Sequence, residues 1–259
     1  MKSHSFLQSL CLSVLVLQLP PAFAAQTISS DPEAVALVRE VLALTPQKAE
    51  VLDGALQIRR NGYQEIHLKW SIELGIGSWS NIYETTATPK LPAERLIIVH
   101  RPGASNEYLL SKTFTATNSA AAAKKLNGWQ AAIPFAGTDF WLADFGLEFL
   151  HWPLQRMVRD AKITMRSGRP CKVIESTNPN PREGGYGRVV SWIDSEYGGI
   201  IYAQAYTPSD KPHKTFQLDG VGKDANGQTR LKGMIIYDYL LDSQTKVEFN
   251  FDLPAPAAP

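Results

Sequence analysis

The chain's clearest pattern is a ten-residue alternation of polar and apolar side chains. From Glu65 to Leu74 every odd position is polar and every even position is apolar. That two-residue period predicts a β-strand with one face against a core or a cavity. The residues on that face are Ile66, Leu68, Trp70, Ile72 and Leu74.

Ten further segments have the composition of strands, and turn signals such as Asn61-Gly62 and Gly198-Gly199 lie between them. Four precede the middle of the chain and six follow it, namely Leu52–Arg59, Ser80–Thr85, Arg95–His100, Glu107–Ser111, Ala161–Arg166, Cys171–Ser176, Arg188–Asp194, Ile200–Tyr206, Met234–Leu241 and Thr245–Phe251. This order predicts a large antiparallel sheet built from hairpins, rather than alternating strand–helix units.

A helix is predicted before the first strand. Asp31 or Ser30 can cap it, Pro32 suits its first turn, and Thr45-Pro46 ends it. Its apolar face consists of Val35, Val38, Val41 and Leu42. A helix with so few charged interior positions is expected to pack firmly against another element.

Residues 118–152 interrupt the strands with an alanine-rich turn or helix and then an aromatic cluster. Seven aromatic residues fall within the 24 positions from Trp129 to Trp152. Asp144 can cap a short helix that ends before Pro153. Its shared face contains Leu142, Phe145, Phe149 and Trp152. Two interpretations remain open, namely simple core packing and a hydrophobic pocket between the sheet and its cover.

The two ends of the chain differ from the rest. Lys2, an apolar run from Phe6 to Leu19 and the small-residue motif Ala22-Phe23-Ala24 predict a signal peptide over residues 1–24. The 14-residue apolar run is too short for a membrane span, which needs about 20 residues. Residues 25–253 are predicted to form one domain, and residues 254–259 a disordered Pro/Ala tail.

Composition narrows the class of protein. The apolar fraction of 44% is typical of a globular chain, and the net charge of +1 does not favour binding to nucleic acid. Cleavage of the signal peptide would remove Cys11 and leave Cys171 alone. The mature chain would then have no internal disulfide bond, and we expect Cys171 to be a small buried residue in a packed core.

Motifs of catalysis and metal binding are missing from the sequence. It contains no G-x-S-x-G, H-E-x-x-H or phosphate-loop motif, and Gly184–Gly187 is typical of a turn. The four histidines of the mature chain, His67, His100, His151 and His213, do not have the spacing of metal ligands. We predict a non-enzyme with neither cofactor nor metal. A Ser-His-Asp triad stays open, because a chain of this length contains all three residue types.

Three motifs in the second half of the chain resemble a known family. They are FWLADFGLEFLHWPLQRM at Phe140–Met157, MRSGRPCKVIEST at Met165–Thr177 and YGRVVSWIDSEYGGIIYAQAY at Tyr186–Tyr206. In this order they resemble a divergent branch of the LolA-like outer-membrane lipoprotein-sorting proteins. The resemblance spans about residues 31–253 and is most specific from Phe140 to Tyr206.

The resemblance implies a mainly β fold of the α+β class. Its antiparallel sheet would form an open half-barrel with helices as a lid over an apolar cavity. In the family that cavity takes the acyl chains of lipoproteins across the periplasm. In the best-known members an arginine on a strand bonds to the lid, but no motif assigns this role to Arg59 or Arg60 here.

The resulting hypothesis is a periplasmic carrier that binds acyl chains of lipoproteins or lipids and moves them towards the outer membrane. Its partners would be an inner-membrane transporter and an outer-membrane acceptor. The alternative is a periplasmic lipid- or lipoprotein-sensing module that acts through a protein partner. The residues expected to contact lipid are Trp70, Phe140, Trp141, Phe145, Phe149, Trp152 and Met157.

Overall fold

The computed structural model describes residues 29–114, 119–120, 122–159, 165–224 and 229–251. The predicted signal peptide and the predicted C-terminal tail lie outside these ranges. The strands within them are β1 (Glu50–Arg59), β2 (Tyr63–Gly75), β3 (Ser78–Thr85), β4 (Ala93–His100), β5 (Glu107–Phe114), β6 (Ser119–Ala120), β7 (Lys124–Leu126), β8 (Leu154–Met157), β9 (Met165–Arg166), β10 (Arg169–Thr177), β11 (Arg188–Asp194), β12 (Ile200–Tyr206), β13 (Pro212–Leu218), β14 (Val221–Lys223), β15 (Thr229–Leu231), β16 (Gly233–Asp238) and β17 (Ser243–Asn250).

Fifteen of these strands form one antiparallel sheet. Its order is β6-β5-β4-β3-β2-β1-β17-β16-β13-β12-β11-β10-β8, with β7 beside β5 and β9 beside β10. Strands β14 and β15 form a separate hairpin. The first and last strands of the order do not pair with each other, so the sheet is not closed into a barrel. The predicted mainly β, antiparallel architecture is confirmed.

One face of the sheet, called the inner face below, carries most of the core. Successive side chains of a strand point to opposite faces, so the strand register shows which residues share this face. Across the sheet it includes Leu96, Tyr83, Leu68, Leu56, Val247, Ile236, Phe216, Ala203, Ser191 and Ile174. Residues 126–152, called the insert below, and the first helix pack against this face.

Strand β2 extends beyond the core that its pattern predicts. Ile66 and Leu68 are buried and Trp70 is partly buried, but Leu74 is 49% exposed. The expectation that all five alternating residues face a core or cavity is therefore wrong at the end of the strand. There β2 continues into a hairpin with β3, whose tip residue Ile76 is fully exposed.

The predicted first helix is confirmed as α1 (Pro32–Leu42). The Asp31 carboxylate caps it by accepting a hydrogen bond from the Glu33 N–H at 2.9 Å. Its buried residues are Ala34, Leu37, Val38 and Val41. The buried face thus differs from the predicted one, since Leu42 is exposed and Val35 only partly buried.

The insert contains short turns instead of one amphipathic helix. Helix α2 (Leu142–Phe145) is followed by a separate 3-10 turn at Glu148–His151, and an earlier 3-10 turn lies at Gly128–Ala131. Leu147, with φ of 50°, separates α2 from the turn that follows. The predicted shared face of a single helix is therefore wrong, and this part of the insert consists of short turns and loop.

Gly146 is required where the insert crosses β5. A Cβ atom at this position would lie 2.2 Å from the Tyr108 hydroxyl oxygen. Asp144 caps α2 from its third position rather than from the position before the helix, because its carboxylate accepts a hydrogen bond from the Trp141 N–H at 2.7 Å.

The strand predicted at Met234–Leu241 is shorter than expected. Strand β16 ends at Asp238, whose carboxylate accepts hydrogen bonds from the Leu240 and Leu241 N–H groups of the following turn. Of the strand predicted at 161–166, Met165–Arg166 is a strand, and residues 161–164 lie outside the described residues. In the described part of the chain, no helix has both the length and the apolar character to span a membrane.

Candidate functional site

A buried carboxylate ties the insert to the sheet. The Asp139 side chain accepts hydrogen bonds from Arg60 at 2.5 Å, from Thr245 at 2.7 Å and from Ser243. Arg60 directly follows β1, and Thr245 lies on β17, so two neighbouring strands hold one point of the insert. The sequence did not single out Asp139, because a lone aspartate in an aromatic segment has no recognisable motif.

Next to this anchor the insert fills the inner face with aromatic rings. The centroids of Phe135 and Phe145 are 5.8 Å apart at an interplanar angle of 88°, and those of Phe140 and Phe145 are 4.9 Å apart. Tyr83 of β3 completes the group at 4.4 Å from Phe145. Such edge and offset contacts are the favoured geometries of aromatic cores. This part of the molecule is a packed core.

A small cavity of about 210 Å³ lies between the insert and strands β12, β13 and β16. This inner cavity is apolar, and the small side chain of Ala203 forms part of its floor. Its walls include Phe140, Phe145, Leu147, Phe149, Phe216 and Met234. The volume is smaller than the roughly 300 to 1,000 Å³ typical of small-molecule sites.

A larger cleft of about 530 Å³ lies on the other side of the same segment. It runs between the insert and the β10–β11 loop, and its volume falls within the range of ligand sites. Aromatic residues Trp129, Trp141, Trp152 and Tyr186 contribute to its lining. The predicted turn Gly184–Gly187 is indeed a loop, and it supplies part of the opposite wall.

Phe149 and Asp144 belong to the walls of both the inner cavity and the cleft. Phe149 is 3% exposed, and it belongs to the core cluster formed with α1 and strands β10–β12. One aromatic side chain and one carboxylate therefore lie in the partition between the two spaces.

Behind the Asp144 carboxylate lies a buried lysine. The Lys214 Nζ atom is 3.7 Å from Asp144 Oδ2 and 3.8 Å from Asp238 Oδ2, and it donates a hydrogen bond to the Asp139 carbonyl at 2.7 Å. Burial lowers the pKa of Lys214, and the neighbouring carboxylates oppose that change. The lysine thus bridges the insert to strands β13 and β16.

Aromatic and imidazole rings surround this lysine. Its Nζ atom lies 3.7 Å from the ring centroid of Trp141, which stacks on Tyr186 at 4.5 Å. The Tyr186 hydroxyl donates to Asp144 Oδ1 at 3.0 Å. His213 packs edge-on against both rings, its pKa is lowered by burial, and its Nδ1 has no hydrogen-bond partner among the described residues.

Glu148 lines the cleft at its boundary with the packed core. Its Oε2 atom accepts a hydrogen bond from the Tyr108 hydroxyl at 2.8 Å, and Asn106 stands beside that hydroxyl. Burial raises the pKa of Glu148 to about 6, although the Tyr108 hydrogen bond works in the opposite direction. Glu148 was not among the residues singled out from the sequence.

The seven residues expected to contact lipid fall into three places. Trp141 and Trp152 line the cleft, Phe140 and Phe145 line the inner cavity, and Phe149 lines both. Trp70 packs against Phe249 at 5.5 Å, and Met157 packs in the cluster around α1, so neither lines these two spaces.

The remaining candidate chemistry is sparse in the described residues. They contain no group of three or more His, Cys, Asp or Glu side chains that could hold a metal ion. Cys171 is buried, and burial raises the pKa of its thiol, which favours the protonated, unreactive form. The arrangement offers apolar surface, aromatic faces and isolated charges.

Comparison with known proteins places these features in a family. A sequence model of a family described as "Uncharacterized protein" matches residues 118–252, which is more than half of the chain. None of the curated proteins matches the sequence.

Solved structures share the fold. An outer membrane lipoprotein-sorting protein domain from Vibrio parahaemolyticus aligns with a TM-score of 0.65 at 13% identity, covering 86% of this chain and 94% of that one. A DUF1329 family protein from Desulfovibrio piger gives 0.66 at 13% identity, with the same coverage of 86% and 94%. A LolA superfamily protein from Nitrosomonas europaea gives 0.54 at 15% identity, also covering 86% and 94%. The resemblance to LolA-like proteins is confirmed at the level of the fold.

Proposed function

This chain belongs to the family whose model matches residues 118–252, and on that premise we propose that it is a periplasmic carrier of lipid or lipoprotein acyl chains. It would bind them without catalysis and move them towards the outer membrane. The LolA-like fold supports a binding role of this class. The observation that carries the proposal is the pair of aromatic-walled spaces separated by Phe149.

The energetics of acyl-chain binding suit such a site. Each buried methylene contributes about 0.8 kcal/mol, so a chain of about 16 carbons gains on the order of 10 kcal/mol relative to water. A bilayer offers a similar gain, and exchange between membrane and protein is therefore close to balanced. Loading and release then need a membrane transporter and an acceptor. The predicted signal peptide would place this chain between them, in the periplasm.

The inner cavity by itself is too small for a long chain. The inner cavity measures about 210 Å³, and the apolar floor of that cavity is separated from the larger cleft by Phe149. In our proposal the Phe149 ring turns aside and joins them into one channel. The surrounding lid is suited to this movement because α2 and the Glu148–His151 turn are each only four residues long.

Lipid analysis of the Phe149→Asp variant tests the proposal. Protein purified under native conditions from the periplasm is extracted, and bound lipid is quantified by mass spectrometry. We expect wild-type protein to carry acyl lipid and Phe149→Asp to lose at least nine-tenths of it, because a carboxylate in the partition is incompatible with an alkyl chain.

Tyr239→Asp is the matched control, since Tyr239 is 48% exposed and lines neither space. It should keep the wild-type amount of lipid, and circular dichroism should show the same sheet content in all three proteins. Should Phe149→Asp not fold, Ala203→Leu replaces it, because that change fills the inner cavity without adding charge. Undiminished lipid in a folded variant would overturn the carrier proposal.

A further inference from the structure

Glu148 is a buried carboxylate without a cation. It is 8% exposed, and the hydrogen bond to its Oε2 atom comes from the neutral Tyr108 hydroxyl. Within the described residues, no lysine, arginine or histidine pairs with it, and its Oε1 atom accepts no hydrogen bond. Charged side chains this buried are normally paired.

The other two carboxylates of the cleft lining, Asp144 and Glu183, have different surroundings. Asp144 has the Lys214 ammonium 3.7 Å away. Glu183 lies next to Arg182 on the exposed β10–β11 loop, where solvent screens its charge. When Glu148 is ionised, its carboxylate is therefore a buried negative charge of the cleft lining that has no cation beside it in the described part of the chain.

The aromatic walls of the cleft favour cations. The Arg182 guanidinium lies 3.6 Å from the ring centroid of Trp129, and Lys214 Nζ lies 3.7 Å from that of Trp141. The negative faces of aromatic rings attract cations in this geometry. Trp152 is partly buried in the same cleft, and no cation of the described residues lies over its ring.

We infer that this cleft binds the cationic head of an amphiphile, with a primary ammonium beside Glu148 and its alkyl chain directed towards Phe149. The inference rests on the proposed function, and it adds the chemical class of the head group. An ammonium can donate a hydrogen bond to Glu148 Oε1 and contact the Trp152 face. Glu148 and Phe149 are adjacent in the chain, so head and tail would separate at one turn of the insert.

Three amphiphiles of equal chain length test the inference with wild-type protein. Delipidated protein is titrated by calorimetry at neutral pH with dodecylammonium, dodecanol and dodecyl sulfate, each below its micelle concentration. A hydrogen bond to a charged group is worth about 1.5 to 3 kcal/mol, so dodecylammonium should bind about tenfold to a hundredfold more tightly than dodecanol. Dodecyl sulfate should bind more weakly than dodecanol.

Glu148→Gln provides the matched variant. The glutamine carbonyl can still accept the Tyr108 hydrogen bond, so the shape of the site and its internal contact are kept. We expect Glu148→Gln to bind dodecanol as the wild type does and to lose the preference for dodecylammonium. Glu183→Gln removes an exposed carboxylate from the same cleft and should keep that preference.

The outcomes separate the two proposals. If none of the three amphiphiles binds, the carrier proposal fails, and the head-group inference fails with it. If dodecylammonium and dodecanol bind equally, or dodecyl sulfate binds most tightly, the inference alone is overturned. The same holds if Glu148→Gln weakens all three ligands alike, because Glu148 would then act only in the structure.

Discussion

On the inner face of the sheet, strands β1–β5 meet a set of large rings from the insert, whereas strands β11 and β12 present Ser191, Ala203 and Ala205. The first half is closed by Phe135, which is fully buried among other rings. In the second half, the small side chain of Ala203 faces the 210 Å³ cavity. One continuous sheet thus has a fully packed core over β1–β5 and a cavity over β12, β13 and β16.

This difference changes the meaning of the aromatic surplus in the insert. Phe135 and its neighbours serve as the core of a wide sheet that has few helices to cover it. Phe149, only fourteen positions later, lies between two open spaces. Core packing therefore describes Phe135, whereas Phe140, Phe145 and Phe149 are buried and also line a cavity.

The comparison predicts unequal costs for removing two phenylalanines. Phe135→Ala should lower the free energy of unfolding by about 3 to 5 kcal/mol, because its ring is enclosed on all sides and its loss leaves a new cavity. Phe149→Ala should cost about 2 kcal/mol, since that ring already adjoins empty space. Urea denaturation of both variants, with wild type as reference, measures the difference.

Circular dichroism before denaturation is the check that both variants start from the same sheet. Equal losses of stability would contradict the distinction between a fully packed half of the sheet and a half that contains a cavity. A larger loss for Phe149→Ala than for Phe135→Ala would mean that the surroundings of Phe149 are the more tightly packed of the two.

The sheet itself could be predicted from sequence wherever its strands alternate or are continuously apolar, as in β2 and β11. Strand β13 could not, because His213 and Lys214 interrupt its apolar pattern although both are buried. A buried lysine is stable only with partners, and those partners, Asp144 and Asp238, lie far away in the sequence. The hydrophobic pattern of a short segment cannot reveal ion pairs with residues so far away in the sequence.

The unpaired Glu148 carboxylate predicts that the stability of the protein depends on pH. The pKa of Glu148 is raised from 4.5 to about 6, so the folded protein holds this proton over a range where the unfolded chain has lost it. Stability should therefore fall as pH rises from 4.5 to about 6. Relative to Glu148→Gln, the wild type should lose about 2 kcal/mol between pH 4 and pH 8, with most of the loss between the two pKa values.

Urea denaturation of both proteins from pH 4 to pH 8 isolates this contribution, because all other titrating groups are shared. Parallel curves for the two proteins would show that Glu148 titrates as an ordinary carboxyl group. If the wild type instead lost stability relative to Glu148→Gln as pH fell, the predicted direction would be wrong. Such a result would require a cation beside the Glu148 carboxylate.

The candidate site was predictable only in part, for a reason of the same kind. Aromatic enrichment identified the insert, and five of the seven expected residues line one of the two spaces. Whether an aromatic ring faces a cavity depends on the size of the side chains across from it. For Phe149 these include Ala203, which lies on a strand more than fifty positions away in the sequence. Glu148 was missed because its importance comes from the absence of a cation around it.

The smallest expected effect on stability comes from a substitution that fills the inner cavity. Ala203→Leu adds three carbons at the floor of the inner cavity, whereas Ala205→Leu adds them on the same strand and face without lining that cavity. Overfilling a packed core costs about 1 to 3 kcal/mol, and we expect this for Ala205→Leu. Ala203→Leu should cost less than about 1 kcal/mol, because the new carbons enter existing space. Equal losses in thermal or urea denaturation would mean that the cavity has no room for an alkyl group, and the acyl chain of the proposed carrier would then have no place beside Ala203.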